Sequence, residues 1–116
     1  MKIAVISDIH SNIEALQSVS DQLSDSMPIL CLGDIVGYGA SPNEVMDWVR
    51  DNATHVIKGN HDESVITGKT NGFSYSSSKV IFWTRDTLSP SNFNYLKQLP
   101  SFKNIKIGNY QLLITH

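Results

Sequence analysis

The sequence predicts an α/β fold: a parallel sheet carrying helices. Three observations point to it. Residues 3–6, 29–32 and 56–58 are short, apolar, β-branched runs of the kind that form strands buried on both faces. A helical pattern lies between each successive pair with no hairpin signal, which implies βαβ units and parallel pairing. Each run also ends in Asp, His or Asn, at the carboxyl edge where open α/β sheets place their sites.

The first strand leads into Ser7-Asp8-Ile9-His10. Asp8 and His10, one residue apart, can approach a single ion, and mixed nitrogen and oxygen ligation suits zinc, manganese or iron. An Asp-x-His triplet occurs by chance in roughly one chain in ten of this length, so its weight comes from matching pieces further on. Ser11-x-x-Glu14 has the pattern of a capping box and opens a helix over 13–23, with Ile13, Leu16 and Leu23 on its apolar face. Pro28 closes the connection to the second strand.

That strand runs into Gly33-Asp34-Ile35-Val36-Gly37-Tyr38-Gly39, placing Asp34 at the same edge as Asp8 and His10. Glycines so spaced could cradle a phosphate, but the pattern is not G-x-G-x-x-G, and a carboxylate in the loop repels phosphate unless a metal lies between. Ser41-Pro42-Asn43-Glu44 starts a second helix, with Val45, Met46, Trp48 and Val49 inward. His55 opens the third strand at its far end and reads as structural or exposed. The strand delivers Gly59-Asn60-His61-Asp62. Gly and Asn would suit a plain turn, yet this is the third strand in succession to end in ligand-type residues.

Residues 68–78, rich in Gly and Ser, read as a mobile surface loop. Residues 79–88 carry Val80, Ile81, Phe82, Trp83 and Leu88 at mostly helical spacing, a packing helix. The less favoured reading has Trp83 or Phe82 bordering a substrate pocket. Ser89-Pro90 begins another helix, ended by Pro100. Residues 105–107 and 110–115 flank Gly108-Asn109, a two-residue turn suited to a type II′ hairpin joining a sheet. The last strand ends on His116, so a fourth strand presents a ligand-type residue.

At 116 residues the chain is read as one domain. A net charge of -2 offers no reason to expect nucleic acid or an anionic membrane as partner. No apolar stretch approaches membrane-spanning length, and Asp8 and His10 interrupt any signal-peptide core. Its single cysteine, Cys31, precludes an intramolecular disulfide, predicts a cytoplasmic setting and reads as a small core residue.

Taken in order, Asp8-x-His10, Gly33-Asp34-x-x-Gly37, Gly59-Asn60-His61-Asp62 and Ile114-Thr115-His116 resemble the motifs of the calcineurin-like metallophosphoesterase family. The resemblance covers the whole chain; residues 33–44 and 83–100 look like its bacterial and archaeal phosphodiesterase-type branch. It implies a β-sandwich flanked by helices. It also implies hydrolysis of a small-molecule phosphoester, phosphoanhydride or nucleotide by a hydroxide that two divalent cations activate, these being manganese, iron, zinc or nickel. Asp8 and His10 would bind the first metal, Asn60 and His116 the second, and Asp34 would bridge them. His61 would face the scissile phosphate and protonate the leaving oxygen, with Asp62 orienting it.

Two departures qualify this. The family's G-H-x-H segment, which supplies two more ligands, is not in the sequence, so a truncated domain with impaired catalysis is expected. The Asp-Arg pair of protein serine/threonine phosphatases is missing after Asp34. A non-catalytic scaffold on the same fold is the alternative, and a metal-free nucleotide binder a weaker third. Ile105, Ile107, Leu112 and Ile114 near an uncovered edge predict self-association through residues 101–116, giving a homodimer.

Overall fold

The computed structural model describes residues 1–116. Its element order is β1 (Ala4–Ile6), α1 (Ile13–Ser20), β2 (Ile29–Cys31), α2 (Pro42–Asn52), β3 (His55–Val56), α3 (Asn60–Thr67), α4 (Tyr75–Thr87), α5 (Pro90–Gln98), β4 (Phe102–Ile107) and β5 (Tyr110–Thr115). β1, β2 and β3 form a parallel sheet in that order, in register Ala4 to Ile29 and Leu30 to His55. β4 and β5 form an antiparallel hairpin that stays a separate two-stranded sheet instead of joining the first. No helix is long and apolar enough to cross a membrane.

The alternation along β2 organises the layers. Cys31 points into the larger core, shared with Leu16 of α1, Val45, Met46 and Val49 of α2, Val65 of α3, Ile81 of α4 and Leu96 of α5. Leu30 points the other way, into a smaller core with Ile57 and the hairpin residues Ile105, Ile107 and Ile114. Successive residues of a strand face opposite sides, so the three short strands lie between a helical layer and the hairpin. Both layers bury apolar side chains against the sheet, and both hold the carboxyl ends of its strands in place.

Several local expectations are corrected. α1 is capped by Asn12, whose Oδ1 accepts from Ala15 N at 3.0 Å, not by Ser11. Ser11 is instead pinned to the neighbouring loops: its N–H donates to Ile35 O at 2.9 Å and its carbonyl accepts from Ser41 N at 3.0 Å. α1 also ends three residues earlier than its apolar pattern, tightening into 3₁₀-type turns at Gln22 and Leu23. Gly59-Asn60-His61-Asp62 opens a helix, with Gly59 as its N-cap. The serine-rich half of the expected loop is the first turn of α4, because Ser74 Oγ accepts from Ser77 N at 3.2 Å. Ser41 and Ser89 precede the prolines of α2 and α5 as expected, although Ser41 makes no side-chain capping bond. Gly108 at φ 58 supplies the positive dihedral that the type II′ turn requires.

Candidate metal centre

Past the strand ends, the first two loops keep exchanging backbone hydrogen bonds as if the sheet continued. Asp8 N donates to Gly33 O at 3.0 Å and His10 N to Asp34 O at 3.0 Å. The pairing holds Asp8, His10 and Asp34 side by side. Gly59 brings the third loop against them: a Cβ there would lie 2.5 Å from Asp34 N. Only glycine permits this approach.

Asp34 is the hub. It is 3% exposed. Its Oδ1 accepts the backbone N–H of His61 at 2.9 Å, and its Oδ2 accepts from His61 Nδ1 at 2.9 Å. The same Oδ2 lies 3.4 Å from His116 Nε2 and 3.6 Å from His10 Nε2. Asp8 Oδ1 is 3.6 Å from His10 Nε2, and Asn60 Oδ1 is 3.2 Å from His116 Nε2. Asp8, His10, Asp34, Asn60, His61 and His116 therefore come together. Their donors fall into two groups that share Asp34: His10, Asp34 and His61, and Asp8, Asp34 and His116.

The chemistry of this donor set fits divalent cations. His10 Nδ1 donates to the Val36 carbonyl at 3.2 Å, and His116 Nδ1 donates to the Leu32 carbonyl at 2.7 Å. A carbonyl only accepts, so each Nδ1 carries the proton and each Nε2 turns a lone pair toward the cluster. Metal-binding histidines are commonly held this way. Asp8 stays ionised below the usual carboxylate range, chiefly through the Ser7 hydroxyl donating to it at 2.5 Å, helped by the neighbouring His116 and His10.

His61 is arranged differently. Its Nδ1 is taken by Asp34, and its Nε2 is buried without a hydrogen-bond partner. Rings pack around it: His10 at 4.7 Å between centroids, Tyr38 at 4.8 Å and Phe73 at 4.9 Å.

Asp62, expected to orient His61, makes no hydrogen bond to its ring; Asp34 holds that ring instead. Adjacent helical residues point about 100° apart. Asp62 turns back into the protein, where its oxygens accept from Gly59 N at 2.8 Å, Ile35 N at 3.0 Å and Val36 N at 3.1 Å. It clasps the start of α3 to the Asp34 loop. Burial pushes its carboxyl up to about 6, against the lowering effect of the three N–H donors, with Asp34 adding a like charge.

Sequence reasoning overlooked the aromatic enclosure of His61 and the backbone of the loops. The non-glycine residues at positive φ are Asp8, His10, Ser11, Asp34 and Tyr38, and every one lies at this cluster. Such conformations persist where surrounding structure over-determines them, and they concentrate at functional sites. The one available signal was the pair of glycines flanking Tyr38.

Two sheets back to back, helices outside, and a carboxylate–imidazole–amide cluster at the strand ends define a fold of the metallophosphoesterase type. The chain belongs to the calcineurin-like phosphoesterase superfamily, whose domain matches residues 1–116. It is 38% identical over 117 aligned residues to an uncharacterised protein of Methanocaldococcus jannaschii, covering 98% of this chain and 48% of that protein. Among solved structures, it resembles a metallophosphoesterase from Sphaerobacter thermophilus, with 34% identity and a TM-score of 0.76 over 96% of this chain and 45% of the other. It also shares the fold of a hypothetical protein from Pyrococcus horikoshii, at 20% identity and a TM-score of 0.75, covering 96% of this chain and 52% of that one. The chain thus spans about half the length of these relatives.

Proposed function

We propose that the chain carries the metal- and phosphate-handling centre of a phosphoesterase that hydrolyses a small-molecule phosphoester or phosphoanhydride. The observation that supports this most is the convergence of His10, His61 and His116 on one carboxylate oxygen of Asp34. Asp8, His10 and Asp34 would hold one divalent cation, and Asp34, Asn60 and His116 would hold a second. Cations bound there would supply Lewis acidity, activating a water and offsetting phosphate charge.

The remaining work falls to the protein. Asp34 accepts the His61 Nδ1 proton and so keeps the ring in one orientation. With Nδ1 donating to Asp34, His61 would act as the acid in its doubly protonated, cationic form, passing the Nε2 proton to the leaving oxygen and keeping the Nδ1 proton on Asp34. Asp62 acts as a positioning residue through the backbone it clasps.

A second reading follows from the 2.9 Å separation of His61 Nδ1 and Asp34 Oδ2: His61 is itself a ligand, grouped with His10 and Asp34. Calorimetric titration with manganese separates the two. Asp34→Asn should abolish most binding, and His61→Ala should leave it nearly intact. Equal loss in both variants would overturn the assignment of His61 as an acid. Hydrolysis of bis-p-nitrophenyl phosphate with manganese, lost in His61→Ala, separates an enzyme from a scaffold.

A further inference from the structure

Tyr38 has the cluster on one side and a second depression on the other. With Gly39 and Ala40 it lines the hollow that contains Asp8 and His10. The same three residues line a separate groove of about 330 Å³, whose far wall is Lys79, Val80 and Trp83 of α4. We propose that this groove receives the planar aromatic group of the substrate, an aryl or nucleobase moiety, while the phosphate lies on the Asp34 side of Tyr38. The proposal rests on the phosphoesterase reading, which places the phosphate.

Four observations carry it. First, the two hollows share one wall, and that wall is fixed. Gly39 N donates to His10 O at 2.8 Å, and Ser41 N donates to Ser11 O at 3.0 Å. Second, Tyr38 holds φ 62, a left-handed conformation that bulky residues rarely adopt. The other non-glycine residues held so are at the cluster itself. Tyr38 offers it no ligand atom that the cluster uses, so packing or recognition must account for its conformation. Its ring packs on His10 at 4.9 Å and His61 at 4.8 Å, yet it remains 55% exposed.

Third, α4 buries Ile81 and Thr84 in the core but leaves Trp83 46% exposed. Val80 and Trp83 stand three residues apart on one helical face, so an aromatic plate and an aliphatic side chain look across at Tyr38. Two aromatic plates flanking a groove form a stacking platform. Fourth, the one charged residue in the lining is Lys79, a cation. An apolar floor with a single positive charge suits a flat group joined to an anion. The volume is at the small end for ligand pockets, with room for a ring system and not for a polymer.

The test uses the manganese-loaded chain and two phosphonates that cannot be hydrolysed at a P–O–C bond. Calorimetry should find 4-phenylbutylphosphonate, whose chain lets the ring reach past Tyr38, bound about 10-fold or more tighter than butylphosphonate. Trp83→Ala should bring the ratio of the two dissociation constants toward one, and Trp83→Phe should restore most of it. Equal affinities in the native protein, or a ratio that survives Trp83→Ala, would overturn the groove while leaving the phosphate site standing. Binding of neither phosphonate would refute the phosphoesterase reading and the groove together.

Discussion

Asp62→Asn isolates the clasp between the third loop and the Asp34 loop. The carboxylate is fully buried and accepts three backbone N–H groups from two segments. Asparagine keeps the shape but has one acceptor oxygen, and its amide hydrogens would face an N–H donor. Hydrogen bonds to a charged group contribute about 1.5–3 kcal/mol each, and an orphaned buried N–H costs about 1–3 kcal/mol. Against this stands the cost of ionising Asp62 in the fold. A rise from the ordinary 3.8 to about 6 is worth about 3 kcal/mol. The net penalty near neutral pH should therefore be about 1–3 kcal/mol.

The pH dependence has a definite sign. The folded pKa lies above the unfolded one, so the folded state holds the proton more tightly. This contribution to stability is fully present below the unfolded value and is lost as pH rises through about 6. Asparagine lacks it. The stability gap between native protein and variant should therefore widen by about 2 kcal/mol as pH falls from about 7 to about 4.5. Urea unfolding of both proteins in chelator, across that range, measures it. A gap that is constant with pH, or that narrows on acidification, would refute the burial argument for Asp62.

Gly59→Ala should drive a methyl group onto the Asp34 carboxylate and its backbone. Overpacking of this kind costs about 1–3 kcal/mol, and manganese affinity should fall with it in calorimetry; unchanged affinity would mean that Asp34 is not the hub. Cys31 is fully buried, and burial pushes its thiol up to about 12, so it should resist a thiol reagent until the chain unfolds. Labelling before the unfolding transition would contradict that packing. Ile105, Ile107 and Ile114, expected to be uncovered, are buried in the smaller core against the parallel sheet, and the hairpin exposes Phe102, Tyr110 and Leu113 instead; on these we expect self-association through residues 101–116 at micromolar concentration. Sedimentation checks it, and Leu113→Lys should shift the chain toward monomer; a native monomer would set the expectation aside.

The strands and their carboxyl-edge residues were legible because they follow from local rules. Short β-branched runs with helices between them admit few topologies, and each run carries its own terminal Asp, His or Asn. Boundaries were less legible. Ser11 has the residue type of a cap, but its backbone is held by Ile35 and Ser41, and the helix begins one residue later. Residues 68–78 look like a loop by composition, and a single serine cap at Ser74 converts their second half to helix.

Local chemistry thus specified which side chains would gather, since residue type and position past a strand are properties of the chain read in order. Their partnerships belonged to the folded molecule. Asp62 neighbours His61 in sequence, yet helical geometry turns it toward Ile35 and Val36, and Asp34, far away along the chain, takes its place. Tyr38 and Trp83 lie on separate elements with no shared pattern, and only the packing of α4 beside the Asp34 loop makes them two walls of one groove. Contacts between distant segments depend on how layers stack, and stacking is decided by the whole core at once.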